Sequence, residues 1–125
     1  MDVTPLVRAG QQIIQSYANG GFRISGQIYH GAVLVQPEGT VLWDASSFED
    51  MTLASFESLI SLPEKPDVVL LGTGSAQKFL PRDLKQALRE GGLVIEVMDT
   101  GAACRTYNVL VAEGRRVACL LLPAQ

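Results

Sequence analysis

Apolar positions follow a strand pattern in the first third of this chain and alternate between helical and strand patterns beyond it. In the first third they fall in short runs that are apolar or alternating, Ile13–Tyr17, Phe22–Ile24, Gln27–Gln36 and Thr40–Trp43, as expected of strands. Asn19-Gly20-Gly21, Gly26 and Pro37-Glu38-Gly39 divide them with turn chemistry. The runs predict an antiparallel meander closed by a hairpin. Beyond residue 50 the period lengthens. Leu53, Phe56, Leu59 and Ile60 share one helical face behind the N-cap candidate Thr52, which predicts a helix to Leu62, ended by Pro63 and Pro66.

Val68–Leu71 is wholly apolar, as expected of a strand covered on both faces. A second helix is predicted from Pro81, suited to the first helical position, to Glu90, with Gly91-Gly92 as its exit. Leu93–Met98 is the next strand. Asp99 or Thr100 caps a third helix whose buried stripe is Ala103, Tyr107, Leu110 and Val111, and Gly114 terminates it. Arg116–Leu122 is the last strand. This β-α-β-α-β order predicts right-handed parallel crossovers. The expected fold is α/β: a single three-layer domain over residues 1–125, with a central mixed, largely parallel sheet and an amino-terminal antiparallel meander.

Charge changes this picture little. The formal net charge is −3, which argues against nucleic acid as a partner because phosphate binding needs a basic surface. Residues 1–62 carry net −4 and residues 63–125 net +1, a dipolar surface that steers partners. Charged residues are scarce at 18%, so an interface with a protein partner or a second copy is expected. Cys104 and Cys119 make no disulfide framework, and a single histidine, His30, makes a metal centre improbable. No run is long and apolar enough to span a bilayer, and the amino terminus reads as neither a secretory nor a transit segment. The cytoplasm is the expected compartment.

Candidate chemistry gathers where parallel strands end. If Val68–Leu71 and Leu93–Met98 are parallel neighbours, the loops Gly72–Gln77 and Asp99–Cys104 lie side by side, where open α/β sheets bind ligands. Gly72 and Gly74 allow close approach, and the third helix offers free N–H groups to an anion. A tight strand-to-helix turn is the plainer reading. Gly72-Thr73-Gly74-Ser75-Ala76-Gln77 has glutamine where the dinucleotide fingerprint needs glycine, and no Gly-Lys-Ser/Thr follows for a P-loop; no cofactor is expected. Cys104, early in a helix beside Arg105, is a thiolate candidate or simply a small apolar residue. Glu96 interrupts an apolar strand and needs a partner such as Arg105, Arg115 or Arg116. Lys78, Arg82, Lys85 and Arg89 align as one basic ridge if the helix already includes residue 78, for an acidic partner or a peripheral anionic lipid surface. A helix starting at Pro81 aligns only three. His30 reads as a sheet-surface residue, and Trp43 and Phe48 as core or interface anchors.

Val68-Val-Leu-Leu-Gly-Thr-Gly74, Glu96-Val-Met-Asp-Thr100, Cys104-Arg-Thr-Tyr-Asn108, Glu113-Gly-Arg115 and Leu121-Leu-Pro123, with Ile28-Tyr-His-Gly31 and Trp43, resemble in order and spacing one family over nearly the whole chain. It is the domain-of-unknown-function family that contains mitochondrial respiratory complex I assembly factor 3 and the adipogenesis-associated protein. The resemblance implies a small three-layer α/β domain and, for the mitochondrial member, a chaperone-like part in building NADH:ubiquinone oxidoreductase, while for bacterial and archaeal members it implies no established reaction. It marks Gly72, Thr73, Gly74, Asp99, Thr100, Thr106, Tyr107, Asn108 and Arg115 as the positions for a site. The functional expectation is a non-enzymatic binding or assembly protein, with respiratory-complex subunits among its partners. The alternative is a protein that binds an anionic metabolite, or an enzyme, using the Gly72/Asp99 cleft.

Overall fold

The structure is a computed structural model that describes residues 10–45 and 47–124. The strands β1 (Ile14–Ala18), β2 (Gly21–Ile24) and β3 (Gln27–His30) form an antiparallel three-stranded sheet. The strands β4 (Val33–Gln36), β5 (Gly39–Leu42), β6 (Val68–Thr73), β7 (Ile95–Met98) and β8 (Val117–Leu122) form a mixed sheet in the order β5-β4-β8-β6-β7. The run Gln27–Gln36 is thus two strands in two sheets, not one. Gly31 stands between them at φ +92°, a conformation open to glycine, and there the chain leaves the small sheet for the large one.

In the large sheet, β6 is parallel to both β7 and β8, while β4 is antiparallel to β8. From β6 the chain moves out to β7 through α2 (Arg82–Glu90), then back past β6 to β8 through α3 (Thr100–Ala112). Two right-handed crossovers in opposite directions place their helices on opposite faces. The core divides accordingly. Val68, Leu70, Val117, Cys119 and Leu121 face α3 and the small sheet; Val69, Leu71, Ala118, Leu120 and Leu122 face Phe56, Leu59 and Leu88. Both faces of β6 and β8 are covered, which is why their sequences are continuously apolar.

Two helical boundaries differ from expectation. The segment behind Thr52 is a 3-10 turn, Leu53–Phe56, followed by a single α-turn, α1 (Glu57–Ile60). The indole Nε1 of Trp43 donates to the Ser55 carbonyl at 2.7 Å, so a distant side chain takes an acceptor that a regular helix would use internally. The helix α2 starts at Arg82, with Pro81 as its N-cap.

Candidate functional site

Register places the glycine turn and the start of α3 together. Gly72 pairs with Met98 in the parallel β6–β7 ladder, so the loops that follow leave from the same end of the sheet, one toward α2 and the other toward α3. Such divergence opens a crevice in many α/β sheets. Here Thr100 closes it. Its hydroxyl donates to the Leu122 carbonyl at 2.6 Å and accepts the Gly74 N–H at 2.8 Å. Its own N–H donates to the Gly74 carbonyl at 2.8 Å. Thr100 is fully buried, and it ties the ends of β6 and β8 to the first turn of α3.

The close approach that glycine permits at position 72 serves this closure. A Cβ on Gly72 would lie 2.9 Å from the Thr100 Cα and 3.0 Å from its Oγ1. Thr73 is also engaged: its hydroxyl donates to the Ala76 carbonyl at 2.7 Å and accepts the Lys78 N–H at 3.1 Å. Asp99 is the N-cap of α3, its Oδ1 accepting the Ala102 N–H at 2.9 Å. Of the groups expected to greet a ligand, the Gly74 N–H, the Thr100 hydroxyl and N–H and the Ala102 N–H are bonded within the protein.

The remaining candidates disperse. Tyr107 is fully buried and its hydroxyl donates to the Gln12 carbonyl at 3.0 Å; burial raises its pKa. Asn108 accepts the Ile14 N–H at 3.0 Å with Oδ1 and donates to the Ile14 carbonyl at 2.8 Å with Nδ2. Its amide acts as one rung of a strand ladder and locks β1 onto α3. Thr106 is half-buried on the same helix. Arg115 is exposed and follows the far end of α3, about 20 Å of helix away from Thr100 at 1.5 Å per residue. Sequence reasoning missed Gly101 and Tyr17: a Cβ on Gly101 would collide with the Tyr17 hydroxyl. The small-residue run Gly101-Ala102-Ala103 was the signal for that close packing.

Cys104 is fully buried, and burial pushes its thiol up to about 12 despite the opposing pull of Arg105. A thiol so placed stays protonated at neutral pH and makes a poor nucleophile. Glu96 is exposed on the edge strand β7, where water solvates it, and Arg116 pairs instead with Glu64 at 3.1 Å and Asp67 at 3.6 Å. Lys78 precedes α2, 3.0 Å from Glu49 and above the Phe48 ring. The basic ridge therefore comprises Arg82, Lys85 and Arg89, all exposed. His30 is exposed on β3, while Trp43 is buried edge-to-face against Phe56, with centroids 5.8 Å apart.

Two cavities are lined by residues outside this cluster. One of about 220 Å³ is lined by residues such as Glu64, Lys65 and Arg116, and one of about 370 Å³ runs beside β5 past Val41, Trp43, Ser55 and Glu57. Among the described residues no group of histidine, cysteine and carboxylate side chains could hold a metal, and no helix is long and apolar enough to cross a membrane.

An uncharacterised protein of Rhodobacter capsulatus is 37% identical over 115 residues, covering 92% of this chain and 87% of its own length. The human protein named NADH dehydrogenase [ubiquinone] 1 alpha subcomplex assembly factor 3 is 36% identical over 110 residues. That alignment covers 88% of this chain, which spans only 60% of the assembly factor. A crystal structure from Bordetella parapertussis superposes with a TM-score of 0.82 at 34% identity, covering 92% of this chain and 98% of that one. The family model for protein of unknown function DUF498/DUF598 matches residues 14–122, and the chain belongs to that family, with the complex I assembly factor 3 proteins among its relatives.

Proposed function

We propose that this chain is a non-enzymatic binding protein that assists assembly of a respiratory complex of the NADH:ubiquinone oxidoreductase type. The observation that carries this reading is the closure of the sheet's carboxyl edge by Thr100, whose hydroxyl is bonded to Leu122 of β8 and to Gly74, which follows β6. Open α/β sheets bind small molecules at that edge, and here the polar groups are spent on the fold. The names of the assembly-factor relatives supply the direction. Membrane-complex subunits should co-purify with the tagged chain from its native cell, and a deletion strain should accumulate less of the assembled complex. Recovery of no such subunit, together with normal complex in the deletion strain, would sink the proposal.

A further inference from the structure

Beyond the closed cluster, the outer edge of β5 is one of the unpaired strand edges among the described residues. The pairs Leu34↔Val41 and Gln36↔Gly39, and the bond from the Trp43 N–H to the Ala32 carbonyl, turn residues 39, 41 and 43 toward β4. Backbone groups alternate along an antiparallel strand, so those of Thr40 and Leu42 point outward. Proteins blunt such edges with lysine, proline or an inward charge, and Gly39-Thr40-Val41-Leu42 carries none of these. The opposite edge, β7, carries Glu96. Val41 and Leu42, on opposite faces of β5, are 57% and 64% exposed, and each lines a groove of about 370 Å³.

Charge identifies the occupant. Between residues 24 and 64 the chain has six carboxylates and no lysine or arginine. Lys78 neutralises Glu49 and Arg116 neutralises Glu64. Asp44 and Glu57 rim the groove beside Val41, and among the described residues no salt bridge joins either to a cation. A second copy of this chain would bring the same carboxylates against them, and like charges across an added strand repel. We infer that β5 accepts an extended segment of a partner protein, alternating apolar with lysine or arginine residues, as an added antiparallel or parallel strand. Main-chain bonds to Thr40 and Leu42 supply affinity, and Asp44 and Glu57 select for basic side chains. This inference rests on the assembly reading and names the surface that performs it.

The test is an anisotropy titration of the full chain with a labelled nine-residue peptide of alternating valine and lysine, and with its valine–glutamate counterpart. The lysine peptide should bind at least ten-fold more tightly, with a gap that narrows as salt rises. Leu42→Pro, which removes an outward N–H and the exposed leucine side chain but no bond to β4, should weaken it at least ten-fold without moving the urea midpoint. Asp44→Lys with Glu57→Lys should invert the preference and serves as the second variant if the proline disturbs folding. Equal binding of both peptides, unchanged binding by both variants, or a dimer by sedimentation that Leu42→Pro dissolves would each overturn the inference. In the native cell, Leu42→Pro bait that retains subunits recovered by the unsubstituted chain refutes the edge alone, whereas recovery of none by either refutes the assembly reading.

Discussion

Replacing Thr100 by valine tests the closure without changing its shape. Valine matches threonine in volume, so the contact with Gly72 survives, but the hydroxyl's bonds to Gly74 and Leu122 are lost. Both partners are buried, and a buried donor or acceptor left unpaired costs about 1–3 kcal/mol. The two together should cost about 3 kcal/mol or more, a large share of the roughly 5–15 kcal/mol that holds a domain folded. Serine at the same position keeps both bonds and gives up one methyl group, at about 1 kcal/mol. With a urea slope of roughly 1–3 kcal/mol per molar, Thr100→Val should unfold about 1–3 M below the unsubstituted chain and clearly below Thr100→Ser. Equilibrium unfolding followed by Trp43 fluorescence measures both. A valine variant as stable as the serine variant would refute the assignment of Thr100 as the bonded closure of the edge.

Four further outcomes follow from the same geometry. Gly72→Ala should destabilise by about 1–3 kcal/mol, the range for overpacking, because its Cβ meets the Thr100 backbone at 2.9 Å; the urea midpoint reads this directly. Asn108→Leu removes both bonds to Ile14, and amide exchange at Ile14 should accelerate selectively, with an overall loss of about 2–6 kcal/mol for two unpaired backbone groups. Stability should fall in alkali: burial raises the Cys104 thiol from 9.0 to about 12 and the Cys119 thiol in the same direction. The folded chain therefore holds protons that the unfolded chain releases. That contribution is complete below pH 9 and is lost as pH climbs toward about 12, at up to about 1.4 kcal/mol per pH unit for each thiol. Unfolding titrations across this window check the sign, and iodoacetamide should leave both cysteines of the folded chain unmodified at neutral pH.

Local pattern revealed most of the large sheet and little of what binds the layers. The stretch from Val68 to Leu122 was legible because each change of period coincides with a chemical stop: proline before α2, an aspartate cap before α3, glycine after it. The division of Gln27–Gln36 was hidden because Ile28 and Val33 to Val35 continue an apolar strand pattern across Gly31, and only φ at that glycine separates two sheets. The helix behind Thr52 was overestimated because the indole that takes the Ser55 carbonyl comes from another element. The candidate site shows the same division. Strand direction put Gly72, Gly74, Asp99 and Thr100 at one edge, as parallel pairing requires. Whether that edge is open turns on one hydroxyl reaching Leu122, 22 residues away, which no local period encodes. Asn108 reaches Ile14 across 94 residues, and polarity on a buried helical stripe does not say whether the partner is a ligand or a strand.

A sheet edge filled by its own chain leaves no room for a small molecule there. Two-dimensional NMR of the labelled protein, titrated to millimolar levels with phosphate, carboxylates and nucleotides, watches the Gly74, Thr100, Gly101 and Ala102 amides directly. Resonances that stay in place throughout are the predicted result. Saturable shifts confined to those four amides would contradict it and restore the edge as a binding site.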